Sequence, residues 1–300
     1  MPNQSTSFPP EIKSQLQLLI SANHILHYHG LVDAFGHISI RHPLNPNHYI
    51  IASYNPGAPA LVSSFAHFIE YRVSDSSPLD QDAPRGYSER YIHSEIFKRF
   101  PRVMCVVHSH SEAVIPFMTA GVQIRPVFHM AGFLGKDGPP TFDVTRTYQD
   151  LESRKISHSP DMLIKTEHLG AKLAETFDVQ DRAFGDVSVE REVEARPVVL
   201  QHKHGFTCVG DSIQNAVYRA IYLQKNCALL KNALDLQSVK RASAADISFL
   251  TEEEAKGCAK MNEMTADKAF RLWLREVEVN PLYRNEEGVP KDLPVGGMKD

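Results

Sequence analysis

The chain has 300 residues, of which 42% are hydrophobic and 23% charged. These are the proportions of a globular protein with room for one or two domains. Its 32 basic and 36 acidic side chains leave a formal charge of -4, with no basic excess for nucleic acid. No apolar run approaches the roughly 18 residues of a membrane span, and Met1–Pro10 lacks the basic and apolar parts of a signal peptide. Cys105, Cys208, Cys227 and Cys258 form no CxxC pair and read as reduced thiols, so a cytoplasmic protein is expected. The count that stands out is histidine, at 15.

Residues 1–10 read as disordered. From Glu11 to His29, Ile12, Leu16, Leu19, Ile20 and Leu26 recur at helical spacing, and Gly30 ends that helix. Gly36–Arg41 alternates as a strand, with His37, Ser39 and Arg41 on one face and Ile38 and Ile40 on the other. Tyr49–Ala52 predicts a second strand, Ser63–Phe68 a short helix, Glu70–Val73 a strand and Ser74–Gly86 a loop. Glu89–Phe100 reads as a helix closed by Pro101, and Val103–His108 as a buried strand. A short helix over Ala113–Thr119, a strand over Gln123–Val127 and a mobile loop over Gly132–Pro140 follow. Met162–Phe177 predicts an amphipathic helix, and Pro197–Leu200 and Phe206–Val209 two strands. Asp211 caps a helix through Leu230, and Thr251 with Glu254 forms a capping box for another helix to about Val277. The last 20 or so residues read as a tail or arm. One α/β domain flanked by helices fits this order.

The chemistry gathers at strand ends. His108 and His110 are two apart at the end of a strand, so both imidazoles face one space. His204 lies between a strand and Gly205, Glu89 opens the helix before the histidine strand, and His129 follows Val127. Three imidazoles make a site for zinc or another late first-row ion, and a nearby carboxylate completes the shell or moves a proton. A His-x-His pair alone is also what an ordinary strand carries. Composition and spacing stop at an α/β protein with a candidate histidine-rich metal centre.

At these residues the chain resembles the class II aldolase/adducin family over roughly residues 11–235. The motifs Gly36–Arg41, Ser88-Glu89, His108-Ser109-His110 and His204-Gly205 occur in the family's order. The resemblance implies a three-layer α/β/α fold with a central mixed, mainly antiparallel sheet. It also implies a homotetramer and one divalent metal per subunit, zinc first, with manganese, iron or cobalt as alternatives. By the same resemblance His108, His110 and His204 are the ligands, and Glu89 is a further ligand or the acid/base group. His202 competes for the third position, but His204 directly precedes the glycine as in the family. Residues 236–280 then form a C-terminal helical extension packed on the same domain, and 281–300 a tail or intersubunit arm.

The sequence departs from sugar-phosphate aldolases where those enzymes hold phosphate. His37 replaces their asparagine, the next loop is Ser53–Pro59, and Tyr87-Ser88 stands where they carry paired serines. Asp33–Arg41, Glu89–His93, His108–Ser111, Arg125–Gly135 and Trp273-Leu274 instead resemble the branch of decarboxylases of hydroxy-carboxymuconate semialdehydes and dihydroxyphthalate-type acids. The resemblance implies a carboxy-lyase of aromatic catabolism acting on a small carboxylic acid through a metal-stabilised enolate. Arg41, His37, Ser39 and Ser88 are the expected substrate contacts. Glu89, His129 and Tyr148 are the expected catalytic groups, Tyr148 from a segment able to reach a neighbouring subunit, while His93 steadies Glu89 or faces an interface. The alternatives are a metal-dependent aldolase on a non-phosphorylated hydroxy-keto compound and a non-catalytic adducin-like binding module. No nucleic-acid or membrane partner is expected.

Overall fold

The computed structural model describes residues 8–157, 159–179, 195–240 and 247–290. Residues 1–7 of the expected disordered segment, His158 and residues 291–300 of the expected tail lie outside them.

Among the described residues, seven strands form one sheet: β1 (His37–Arg41), β2 (His48–Ala52), β3 (Phe68–Arg72), β4 (Cys105–Ser109), β5 (Thr141–Phe142), β6 (Val198–Gln201) and β7 (Gly205–Gly210). Their spatial order is β3-β2-β1-β4-β7-β6-β5. Every neighbouring pair is antiparallel except β5 and β6. The fold is therefore the expected α/β/α sandwich around a mixed, mainly antiparallel sheet.

Strand alternation divides the interior into two cores. Ile38, Ile40, Cys105, Val107, Phe206 and Cys208 pack on one face against α1 (Pro10–Tyr28), α6 (Ile213–Lys240) and α7 (Glu252–Glu278). Tyr49, Ile51, Val106, Val199 and Val209 pack on the other against α2 (Arg90–Arg99), α4 (Val144–Ser153) and α5 (Glu167–Glu175). A short α3 (Ile115–Thr119) lies at the edge of the first core. Pro10 opens α1 where a missing N–H costs nothing, and Gly30 leaves it at φ +67°. Thr251 and Glu254 form the expected capping box of α7.

Several elements differ from the sequence reading. Gln123–Val127 joins no strand ladder, because α6 captures it: the Val127 N–H donates to Asn226 Oδ1, and Asn226 Nδ2 donates to the Arg125 carbonyl. Gly132 and Leu134, expected in a loop, close a 3-10 helix over His129–Leu134, packed on α7. The expected helix from Met162 begins only at Glu167, with Thr166 as N-cap. Asp211 does not cap α6; the Asn215 N–H donates to Ser212 Oγ instead. Residues 281–290, expected to begin a tail or intersubunit arm, make contacts with their own chain. Tyr283 meets His27 Nδ1 at 2.9 Å, and Glu287 Oε1 accepts from Ser64 Oγ and the Phe65 N–H at 3.0 and 3.1 Å.

Candidate metal centre and active site

The end of β4 delivers His108 and His110 to the α2 side of the sheet, and the β6–β7 turn delivers His204 beside them. Gly205 permits the approach: a Cβ there would lie 2.0 Å from the Ser109 carbonyl oxygen. Gly36 does the same for β1, where φ is +82° and a Cβ would meet Val32 at 2.7 Å and the His108 carbonyl at 3.1 Å. Glu89, the N-cap residue of α2, closes the fourth side.

Glu89, His108, His110 and His204 each offer a ligand atom, and all four atoms lie within 4.8 Å of one another. Nε2 of His108 is 3.0 Å from Nε2 of His110, and Glu89 Oε2 is 3.8 Å from His108 Nε2 and 3.7 Å from His204 Nε2. These separations suit donors converging on one small ion. The tautomer of His108 suits it too. Its Nδ1 is 3.1 Å from the Phe206 carbonyl, which can only accept, so the proton is on Nδ1 and the lone pair on Nε2.

Burial sets the electrostatics. It pushes His108 well below the ordinary histidine range, with His204 and His110 adding to the effect, and takes His204 down to about 4. His110 is also lowered by burial, against a smaller opposing pull from Asp33. Neutral imidazoles are the form that binds metal. Burial pushes Glu89 up to about 7, opposed by the Ile164 N–H that donates to its Oε1 at 2.9 Å. Since the histidines are neutral, the Glu89–imidazole contacts are not ion pairs. Oε1 is held by backbone and Oε2 faces the imidazoles. The donor set fits a divalent ion of the zinc type.

A cavity of about 270 Å³ adjoins this centre, walled by His37, Tyr54, Arg85, Ser88, Glu89 and His110 among others. Of the expected substrate contacts, His37 and Ser88 reach it. Ser39 stands one layer behind, fully buried, with Oγ 2.6 Å from His93 Nδ1; His93 Nε2 in turn is 2.7 Å from His37 Nδ1. His93 therefore supports His37 rather than Glu89. Arg41 does not wall this cavity. Its guanidinium is buried and donates to the carbonyls of Pro46, Phe97, Phe100 and Val103, tying β1 to the C-terminal end of α2. His129 is exposed at the start of its 3-10 helix and does not wall the cavity. Tyr148 lies in α4, close enough to Glu89 for its charge to be felt, and burial raises its hydroxyl.

Arg85, Tyr54 and the 161–164 segment were not singled out as site residues from sequence. Leu163 walls the cavity, and the Ile164 N–H holds Glu89. Met162 has φ +68°, a non-helical kink inside what reads as a helical pattern.

The class II aldolase and adducin N-terminal domain profile matches residues 17–230. The chain belongs to the class II aldolase and adducin family. It is 38% identical over 275 residues to the decarboxylase tropJ of Talaromyces stipitatus, covering 90% of this chain and 96% of that protein. It is 28% identical over 203 residues to a 3,4-dihydroxyphthalate decarboxylase of Arthrobacter keyseri, covering 66% and 69%. In fold it resembles an L-fuculose 1-phosphate aldolase from Glaciozyma antarctica (TM-score 0.61, 18% identity, 95% and 97% covered). An aldolase II superfamily protein from Pseudomonas syringae is similar as well (TM-score 0.65, 16% identity, 92% and 97% covered). The family's decarboxylases support a carbon–carbon lyase. Among the described residues, no helix is long and apolar enough to cross a membrane.

Proposed function

We propose that this chain is a divalent-metal-dependent decarboxylase of a small hydroxy or keto carboxylic acid of the hydroxybenzoate, phthalate or muconate-semialdehyde type. The observation that carries the reading is the Glu89–His108–His110–His204 centre, set in a chain 38% identical to a decarboxylase over 90% of its length.

Loss of CO₂ breaks a C–C bond and leaves its electron pair on carbon, where a proton must replace the lost group. His108, His110 and His204 would hold a divalent ion, zinc by donor type with manganese, iron or cobalt as alternatives, and such an ion would supply positive charge to the oxygen beside that carbon. Glu89 supplies the proton from Oε2, with Oε1 fixed on the Ile164 N–H. His37 orients a substrate oxygen, and Phe35 and Leu163 give the cavity apolar wall. The family resemblance extends the proposal to a cytoplasmic homotetramer, which light scattering tests at four chain masses.

Elemental analysis and a CO₂-release screen over ortho-hydroxy aromatic and muconate-type acids test this function. His108→Ala and His204→Ala should each lose bound metal, and turnover should fall by about three orders of magnitude. Full metal retention in either variant defeats the ligand assignment. An aldehyde fragment in place of CO₂ selects the aldolase reading.

A further inference from the structure

Among the described residues, Arg85 is the one lysine or arginine walling the cavity beside the metal centre. Its guanidinium lies over the Tyr54 ring, 4.5 Å from the centroid. Among the described residues it has no carboxylate or carbonyl partner. Its backbone is nonetheless fixed: the Tyr54 N–H donates to the Arg85 carbonyl at 2.8 Å, and Gly86 bridges Ser53. The pair stands exposed at the cavity's edge, and a guanidinium resting on an aromatic face with its N–H groups open to solvent presents a fork that matches a carboxylate. Arg41 is the contrast, since its N–H groups are committed to carbonyls.

Which carboxylate it would hold follows from the chemistry. In decarboxylation the departing carboxylate loses its negative charge as it becomes CO₂. The electron pair of the broken bond stays on carbon, and the Glu89 proton takes the vacated position. A cation paired with the departing group would stabilise the starting state more than the transition state, and so raise the barrier. A carboxylate that remains in the product keeps its charge throughout, and pairing it costs nothing in the chemical step.

We propose that Arg85, resting on Tyr54, holds the substrate carboxylate that is retained in the product, which makes diacids the preferred substrates. This rests on the decarboxylase reading and adds the determinant of substrate class.

The test uses the zinc-loaded full-length protein with 3,4-dihydroxyphthalate and with 2,3-dihydroxybenzoate, the same ring without the second carboxylate. The wild type should favour the diacid in kcat/KM. Arg85→Gln should lower the diacid value about 100-fold, mostly through KM, and collapse the diacid-to-monoacid ratio. Arg85→Lys, which keeps charge without the fork, should fall between. An equal loss for both acids, or an unchanged ratio, overturns the proposal. A second arm needs no turnover. Calorimetry compares 3,4-dihydroxybenzoate with catechol, which differ by the retained carboxylate. The wild type should prefer the former, and Arg85→Gln should erase that preference. If neither acid releases CO₂, the decarboxylase reading falls, while a preference surviving in Arg85→Gln overturns the role of Arg85.

Discussion

A chain of buried hydrogen bonds behind the cavity decides what His37 offers a ligand. Ser39 is fully buried, and among the described residues its hydroxyl proton has one acceptor in reach, His93 Nδ1 at 2.6 Å. His93 is then protonated on Nε2 and donates across 2.7 Å to His37 Nδ1. His37 is left with its proton on Nε2, as a neutral hydrogen-bond donor. Long-range ¹⁵N spectra should show both His37 and His93 as Nε2–H tautomers. Ser39→Ala leaves a buried nitrogen unpaired and should cost about 1–3 kcal/mol in chemical denaturation; a neutral substitution would mean that the order is not set by Ser39. Strand alternation made one face of His37, Ser39 and Arg41 legible from sequence, and the structure keeps that face. Depth along it was not legible. At about 3.3 Å per residue, Arg41 sits some 13 Å from His37, where it meets the last carbonyls of α2 rather than the cavity.

The elements carrying the site depend on two glycines and one interrupted helix. Gly205 brings the β6–β7 turn onto the end of β4, and any Cβ there strikes the Ser109 carbonyl at 2.0 Å. Gly205→Ala should push His204 off the centre, with at least a tenfold loss of metal affinity and about 2 kcal/mol or more of stability, read by metal titration and urea unfolding. Gly257 is the matched control. It is exposed in α7 with nothing within 4 Å of a built Cβ, so Gly257→Ala should raise stability by about 0.5–1 kcal/mol. The His204-Gly205 pair was readable because its spacing is local. The 161–164 segment was not, because its departure from helix is set by tertiary partners, above all the Ile164 N–H bound to Glu89. Helix α4 escaped for a different reason. Val144, Thr147, Tyr148 and Leu151 have helical spacing and are buried, and Asp143 caps them, but a ten-residue helix with two threonines and a tyrosine carries a weak local signal.

At the scale of the molecule, the sheet separates a core under α2, α4 and α5 from one under α1, α6 and α7, and the second is closed by the returning chain at Tyr283. His24 lies within that closure. It is 2% exposed, its Nε2 is 2.6 Å from the Val62 carbonyl, and its ring is 5.2 Å from that of Tyr283. Sequence placed His24 on a helix but gave no argument for it, since its partners come from residues 38 and more than 250 positions away. Burial takes its pKa from 6.5 to about 4. The folded state therefore keeps it neutral while the unfolded chain takes up a proton as pH falls below about 6.5. Its contribution is fully present above that pH and is lost progressively down to about 4. The loss between pH 7.5 and 5 amounts to about 2 kcal/mol. His24→Gln keeps a donor for the Val62 carbonyl and removes the titration. Urea unfolding at the two pH values should show a smaller acid loss in the variant than in the wild type, by about that amount. Equal losses in both proteins would mean that His24 protonates in the folded state as readily as in the unfolded chain.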